Sequence, residues 1–134
     1  MTNKEIVLQG FKYMNDHNLD GFKQLLSDDF VNHDMPMPEP GPEGFKQVLN
    51  VFLSAFPDFS MEAESIVCEN DNVATRGYFT GTHKGEFMGI PATGKKIKVK
   101  YMDMWRFKDG KATENWVRMD NMEMMQQLGV VPSH

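Results

Sequence analysis

The sequence predicts an α+β fold in which helices come first and hairpin-connected strands follow. Apolar residues recur at helical spacing up to Pro57, and from Phe59 onward they alternate with a period of two. Asp109-Gly110, between two alternating segments, is a strong hairpin signal. Helices followed by strands favour an antiparallel sheet layered on helices over a parallel βαβ fold. We expect a curved antiparallel sheet wrapped around N-terminal helices, with one pocket at its open end.

Length and composition predict one domain, residues 1–134, with an ordinary core. The net charge of −5 argues against nucleic-acid binding, which depends on Lys and Arg neutralising phosphates. No apolar run is long enough to span a membrane. The single Cys68 cannot form an intrachain disulfide, and residues 2–5 lead into a helix without a signal-peptide core. We therefore expect a cytoplasmic protein.

Three helices are expected before the strands. Thr2 and Glu5 form a capping-box pattern for the first, which should end between Asn15 and Asn18. Asp20 is placed to cap the second, whose buried face would be Phe22, Leu25 and Leu26. A short extended stretch at Phe30–Asp34 and a proline-rich loop follow, and the third helix has apolar positions from Phe45 to Phe56.

Four strands and a last helix are expected in the second half. The first strand alternates from Phe59 to Val67, with Phe59, Met61, Ala63, Ser65 and Val67 on one face. The others run from Val73 to about His83, from Lys96 to Phe107 and from Lys111 to about Met119. A helix from Asn121 to Leu128 should end at Gly129.

Two compositional features have ordinary explanations. Lys95, Lys96, Lys98 and Lys100 are spaced as the solvated face of a strand. The 12 methionines suit an adaptable cavity, although filling irregular gaps in a core is their commoner role.

Several ordered motifs resemble the SnoaL-like polyketide cyclase (ester cyclase) family over nearly the whole chain. They are residues 81–95, Trp105 to Lys111, Glu114-Asn115-Trp116 with Asp120, and Gln127-Leu128-Gly129. The resemblance implies a cystatin-like α+β cone, an intramolecular aldol condensation without a metal or nucleotide, and an Asp at the position of Asp120 as the general acid/base. Relatives often have His where this chain has Asn115, so that any role of this histidine is absent or reassigned.

Asp120 is the first candidate for catalysis. It follows Trp116 by four residues, and so shares its face if the strand is regular. In an apolar pocket beside an aromatic ring its pKa would rise, which makes a carboxylate a better base near neutral pH. Asp120 and Glu123 also form a capping-box pattern for the last helix, and both roles are compatible.

The remaining candidates each have a structural alternative. His33, beside Asp34, is either a pocket acid or oxyanion donor, or a hydrogen-bonded structural histidine. His83 lies in the pocket or in a turn at its rim. Arg76 could stabilise an enolate or pair with a cross-strand acid such as Asp103 or Glu114. The expected pocket walls are Trp116, Phe52, Met102 and Met104.

These features predict a cofactor-independent lyase or isomerase acting on a mostly apolar carbonyl compound. Asp120 would remove a proton next to the carbonyl, and His33 with Arg76 would stabilise the enolate. No histidine spacing or glycine-rich motif predicts a metal or nucleotide site. The alternatives are a non-catalytic binding module of the same fold and a dehydratase or epoxide hydrolase. The family also implies a homodimer through the outer face of the sheet.

Overall fold

Four helices and five strands make up residues 1–130, the part of the chain that the computed structural model describes. Their chain order is α1 (Asn3–Asn15), α2 (Leu19–Lys23), β1 (Leu26–Asn32), α3 (Gly41–Ala55), β2 (Ser60–Glu69), β3 (Asn72–Thr82), β4 (Lys96–Lys108), β5 (Lys111–Met119) and α4 (Asn121–Leu128). The predicted α+β class, with a curved sheet and helices before it, is confirmed. The last four residues of the predicted domain lie outside the described part. No helix within residues 1–130 is long and apolar enough to cross a membrane.

The predicted helix boundaries are confirmed for α1, α3 and α4. Thr2 and Glu5 form the predicted capping box, each side chain accepting from the other residue's backbone N–H at 3.1 Å. In α2 the prediction for Asp20 was wrong, because Asn18 is the N-cap and accepts from the backbone N–H of Gly21. Asp20 pairs instead with Lys46 of α3 at 2.9 Å.

The sheet has one strand more than predicted and is not purely antiparallel. Its order is β1-β5-β4-β3-β2, and β1 pairs parallel with β5 at the edge. The prediction assigned Leu26 to a helix and left only Phe30–Asp34 extended. Leu26, Phe30 and Asn32 are the buried positions of β1, and the two acidic residues between Leu26 and Phe30 hide this pattern in the sequence.

A bulge in β2 alters the predicted alternation of that strand. The register against β3 shifts between Ala63 and Ser65. Beyond this point Ile66 packs against the core, whereas Val67, predicted on the buried face, is 63% exposed. A bulge inserts one residue, and so reverses which side chains face inward and bends the strand.

Gly77 of β3 lies opposite Ala63, beside this bulge. A Cβ atom at Gly77 would overlap the backbone carbonyl oxygen of Glu62. Only glycine therefore allows β2 and β3 to approach so closely where the sheet bends.

The strand β4 separates the core from the solvent by strict alternation. Its inward side chains are Ile97, Val99, Tyr101, Asp103, Trp105 and Phe107, and its outward ones include Lys96, Lys98 and Lys100. The predicted solvated lysine face is confirmed. The inner face packs against α1, α2 and α3, where Phe11, Phe22 and Phe45 are buried.

We expect Gly77→Ala to destabilise the protein by about 1–3 kcal/mol, because the added methyl group forces β2 and β3 apart at the bulge. The change is measurable as a lower midpoint of urea denaturation. Cys68→Ala, at an exposed position of β2, is the control and should change stability by less than about 0.5 kcal/mol. An equally stable Gly77→Ala protein would contradict this account of the bend.

Candidate functional site

A cavity of about 40 Å³ lies between the inner face of the sheet and the helices. Its wall is mostly apolar and includes Leu49, Phe52, Phe79 and Val117. Four residues with polar side-chain atoms also line it: Tyr101, Asp103, Trp105 and Asn115. Polar groups that converge in an apolar cavity are the usual form of a small-molecule site.

The register of the strands brings these polar side chains together. Tyr101, Asp103 and Trp105 are alternate inward residues of β4. Asn115 of β5 is paired directly with Trp105, and Thr75 of β3 is paired directly with Asp103. Directly opposite residues have Cβ atoms about 4.5–5.5 Å apart, so these side chains form one cluster.

Asp103 is the acidic member of this cluster and is only 6% exposed. Its Oδ1 accepts a hydrogen bond from Thr75 Oγ1 at 2.5 Å. The hydroxyl of Tyr101 lies 2.9 Å from the same Thr75 oxygen. When Asp103 is ionised, the Thr75 proton points at the carboxylate, so the Tyr101 hydroxyl is the donor to Thr75.

Burial raises the pKa of Asp103 to about 6, from an ordinary value of 3.8. The hydrogen bond from Thr75 opposes this rise, since it favours the charged form. The Trp105 indole N–H also interacts with the Asp103 carboxylate and lowers this pKa, although the contact does not have the geometry of a full hydrogen bond. Burial likewise raises the pKa of Tyr101 to about 12, so that its hydroxyl stays protonated.

An apolar groove of about 330 Å³ adjoins the cavity. Met35, Phe52 and Met119 line both spaces and therefore separate them. At the outer end of the groove, Val51 and Met88 are 55% and 69% exposed. Methionine side chains are flexible, so Met35 and Met119 can move to connect the groove with the cavity.

Asp120 does not line this cavity. With Arg76 and Met102, it lines a separate and open depression of about 430 Å³. Asp120 is exposed, and its Oδ1 accepts from the backbone N–H of Glu123 at 3.0 Å as the N-cap of α4. Trp116 belongs to the outward series of β5, because Asn115 and Val117 face inward. Asp120 lies just beyond the strand, which ends at Met119, so the predicted alternation does not extend to it.

His33 and Trp116 also lie on the outer face. Their rings stack with centroids 4.7 Å apart, and His33 Nε2 is 2.9 Å from Glu114 Oε1. Arg106 lies over the Trp116 ring at 5.3 Å and pairs with Glu114 at 3.1 Å. The side chain of His33 is 37% exposed. The structure supports the structural alternative for His33 and does not make Trp116 a wall of the cavity.

Arg76, Met102 and Met104 were also expected at the pocket and do not line this cavity, although Arg76 and Met102 line the open depression that includes Asp120. Arg76 is paired with Met102 across β3 and β4, and both side chains face outward. Arg76 is 3.8 Å from Glu64, so that its acidic partner is neither Asp103 nor Glu114. Met102 is 61% exposed. Met102 and Met104 each lie one residue away from an inward side chain of β4 and therefore face the opposite side of the sheet.

Of the other two candidates, Phe52 lines the cavity as predicted, and His83 does not. His83 is fully buried, and its Nδ1 accepts from the backbone N–H of Thr93 at 3.2 Å. Its ring packs on Phe56 at 5.4 Å. His83 therefore connects the loop after β3 with the core, through its hydrogen bond to Thr93 and its packing on Phe56.

The sequence analysis missed Asp103, Thr75, Tyr101 and Asn115 as a cluster. The signal was the alternation of Ile97, Val99 and Tyr101 with lysines. Continuing it by one step places Asp103 on the apolar face. Within residues 1–130, no three His, Cys, Asp or Glu side chains are grouped closely enough to hold a metal ion.

The family model described as SnoaL-like polyketide cyclase matches residues 5–128 of this chain. The chain belongs to this family. The resemblance inferred from the motifs is therefore confirmed. None of the curated proteins compared with the chain matches it significantly.

Solved structures of this SnoaL-like type agree with the assignment. AclR, a candidate hydroxylase from Streptomyces galilaeus, is 32% identical with a TM-score of 0.85, covering 96% of both chains. IdmH, a candidate polyketide cyclase from Streptomyces antibioticus, is 31% identical with a TM-score of 0.85, covering 97% of this chain and 100% of its own. A candidate polyketide cyclase from Bacillus cereus is 30% identical with a TM-score of 0.75, covering 91% and 76% respectively.

The raised pKa of Asp103 makes a prediction about stability. Between about 3.8 and 6 the folded state holds a proton that the unfolded state has released, so the free energy of unfolding falls as pH rises. Relative to Asp103→Asn, we expect the wild type to lose about 2 kcal/mol of stability between pH 4.5 and pH 8. Urea denaturation of both proteins at both pH values measures this.

The matched control is Asp120→Asn, which changes an exposed carboxylate to an amide and should follow the pH dependence of the wild type. If the wild type and Asp103→Asn showed parallel pH dependence, Asp103 would have an ordinary pKa and the argument from its burial would be wrong.

Proposed function

We propose that this SnoaL-like protein is a cofactor-independent enzyme that removes a proton next to a carbonyl group of a mostly apolar small molecule. The observation that carries the proposal is the Asp103 carboxylate, 6% exposed in an apolar cavity. With a pKa of about 6, Asp103 is ionised at neutral pH and yet is a stronger base than an exposed aspartate.

Asp103 takes the role that the sequence analysis gave to Asp120. The side chain of Asp120 is exposed and already accepts the capping hydrogen bond of α4. A base needs to reach the proton that it removes, within about 3 Å or through one water. A substrate in the cavity meets this condition at Asp103. The role of Asp120 in catalysis stays a prediction that its variant tests.

The chemistry uses the neighbours of Asp103. Asp103 takes the proton, and the C–H electron pair moves onto the carbonyl oxygen as an enolate. In an intramolecular aldol closure, the enolate carbon forms the new C–C bond with the carbon of a second carbonyl group. The resulting alkoxide then takes the proton that Asp103 holds. Thr75 holds the carboxylate in position through its 2.5 Å hydrogen bond, and Tyr101 in turn holds Thr75.

The groove supports an apolar substrate larger than the cavity. At about 40 Å³ the cavity has room for the reacting carbonyl, and the adjoining space of about 330 Å³ would hold the remainder. Residues from α3, including Val48 and Phe52, form one side of this groove. Holding both reacting ends of a folded substrate accelerates a cyclisation, because the entropy of bringing them together is lost on binding and not at the reaction step.

The test is solvent deuterium exchange into 4-phenyl-2-butanone, followed by proton NMR in D₂O. We expect the wild type to accelerate exchange next to the carbonyl with an apparent pKa of about 6, the activity rising as pH increases. Asp103→Asn should lower the rate by at least about 100-fold, since it removes a general base. The isosteric substitution keeps the volume of the side chain.

Asp120→Asn is the matched control and should keep the rate within about twofold, because nothing in the cavity changes. Loss of exchange in Asp120→Asn alone would return the catalytic role to Asp120. Binding of the ketone without exchange by any of the three proteins would favour the non-catalytic binding module. Incorporation of oxygen from labelled water would favour hydrolysis, as in an epoxide hydrolase.

We also propose that the protein forms a homodimer through the outer face of the sheet. Met102, 61% exposed, adjoins Met104 and Trp116 on this face, which a partner copy would cover. Sedimentation at micromolar concentration should give twice the chain mass of 15.4 kDa. Met102→Lys should shift the protein towards the monomer, whereas Leu8→Lys, at an exposed position of α1 on the other side of the sheet, should not. A wild-type monomer would contradict the proposal.

A further inference from the structure

Two side chains in the cavity have buried polar atoms without a hydrogen-bond partner among residues 1–130. They are the indole Nε1 of Trp105, and both Nδ2 and Oδ1 of Asn115. Asn115 is fully buried and Trp105 is 5% exposed. A buried polar group without a partner costs about 1–3 kcal/mol, so three such atoms in one place require an explanation.

The sheet places these atoms beside the proposed base. Trp105 and Asn115 are directly opposite each other on β4 and β5, and both side chains line the cavity. Asp103 is the preceding inward residue of β4 and is paired with Val117, the next inward residue of β5. The two N–H donors and the carboxylate therefore lie on adjacent steps of the same face.

We propose that Trp105 Nε1 and Asn115 Nδ2 bind the carbonyl oxygen of the substrate, next to the carbon from which Asp103 takes the proton. This inference rests on the proposed function. As the proton leaves, negative charge develops on that oxygen, and donors already held beside it stabilise the transition state in a site without bulk water. Asn115 Oδ1 remains an acceptor, so a substrate with a hydroxyl group near its carbonyl satisfies all three atoms.

The occupant that competes with this assignment is a buried water molecule. A cavity of about 40 Å³ has room for one, and a water can donate to Oδ1 while accepting from the two N–H groups. Water would satisfy the same atoms without any link to a ligand. The experiment therefore has to show that a ligand oxygen, and not a water, sits on these donors.

Cyclohexanone and methylenecyclohexane are matched probes, because they share a ring and differ only in C=O against C=CH₂. The chain has two tryptophans, so a ¹⁵N-labelled sample gives two indole N–H signals, which Trp116→Phe assigns. We expect cyclohexanone to move the Trp105 signal downfield as that N–H gains an acceptor. Methylenecyclohexane should produce no such downfield shift. No downfield shift with cyclohexanone at any soluble concentration overturns the proposal.

Asn115→Leu removes both amide atoms at similar volume. It should weaken cyclohexanone binding by about 3- to 10-fold, the value of one hydrogen bond, and leave methylenecyclohexane binding unchanged or tighter. Val117→Ala, which alters the same wall without a polar atom, should change both affinities by the same factor. An equal effect of Asn115→Leu on both probes assigns Asn115 to packing and overturns its role. The indole measurement needs no substitution at Asn115.

These readouts are independent of turnover. A Trp105 shift without deuterium exchange into cyclohexanone supports the oxygen-binding pair and counts against Asp103 as a base. Exchange without the shift supports the base and overturns the oxygen-binding pair.

Discussion

The burial of one carboxylate on the apolar face of β4 is the constraint on which the rest of the site depends. Thr75 donates a hydrogen bond to Asp103 and the Trp105 indole also favours its charged form, but no cation contributes to its pKa among the residues described. A negative charge buried in an apolar cavity is destabilised because it loses its hydration, and the pKa of the carboxyl group rises for this reason. The folded protein is therefore less stable near neutral pH because a carboxylate, Asp103, faces the cavity.

Alternation along the strands decides which side chains line that cavity. It also explains which parts of the fold could be predicted from the sequence. The first and third helices, the Asp109-Gly110 hairpin and the last helix follow from local patterns, and the structure confirms them. The bulge at Ala63 and the parallel pairing of β1 with β5 do not, because they depend on contacts distant in the sequence. One unrecognised step in a strand moves every later side chain to the opposite face.

The candidate site shows the same limit residue by residue. Trp116 was expected on the inner face of β5 and lies on the outer one, and Asp120 lies beyond the end of the strand as the N-cap of α4. Alternation along a strand shows which residues share a face of the sheet. Whether this face is buried or exposed has to be decided from a residue on it whose burial is certain. For β4 that neighbour was available in Val99 and Tyr101, and two more steps lead to Asp103 and Trp105.

Asn115 connects this geometry with the family. It stands where the resemblance to the family implies a histidine, and a histidine opposite Trp105 could become charged beside Asp103. A cation there would stabilise the ionised carboxylate and lower its pKa, and so weaken it as a base. The amide of Asn115 is neutral at every pH, and it offers N–H donors without that effect. In the proposed mechanism, Asn115 therefore donates to the substrate oxygen without adding a charge beside Asp103, whose basicity is set by burial, Thr75 and Trp105.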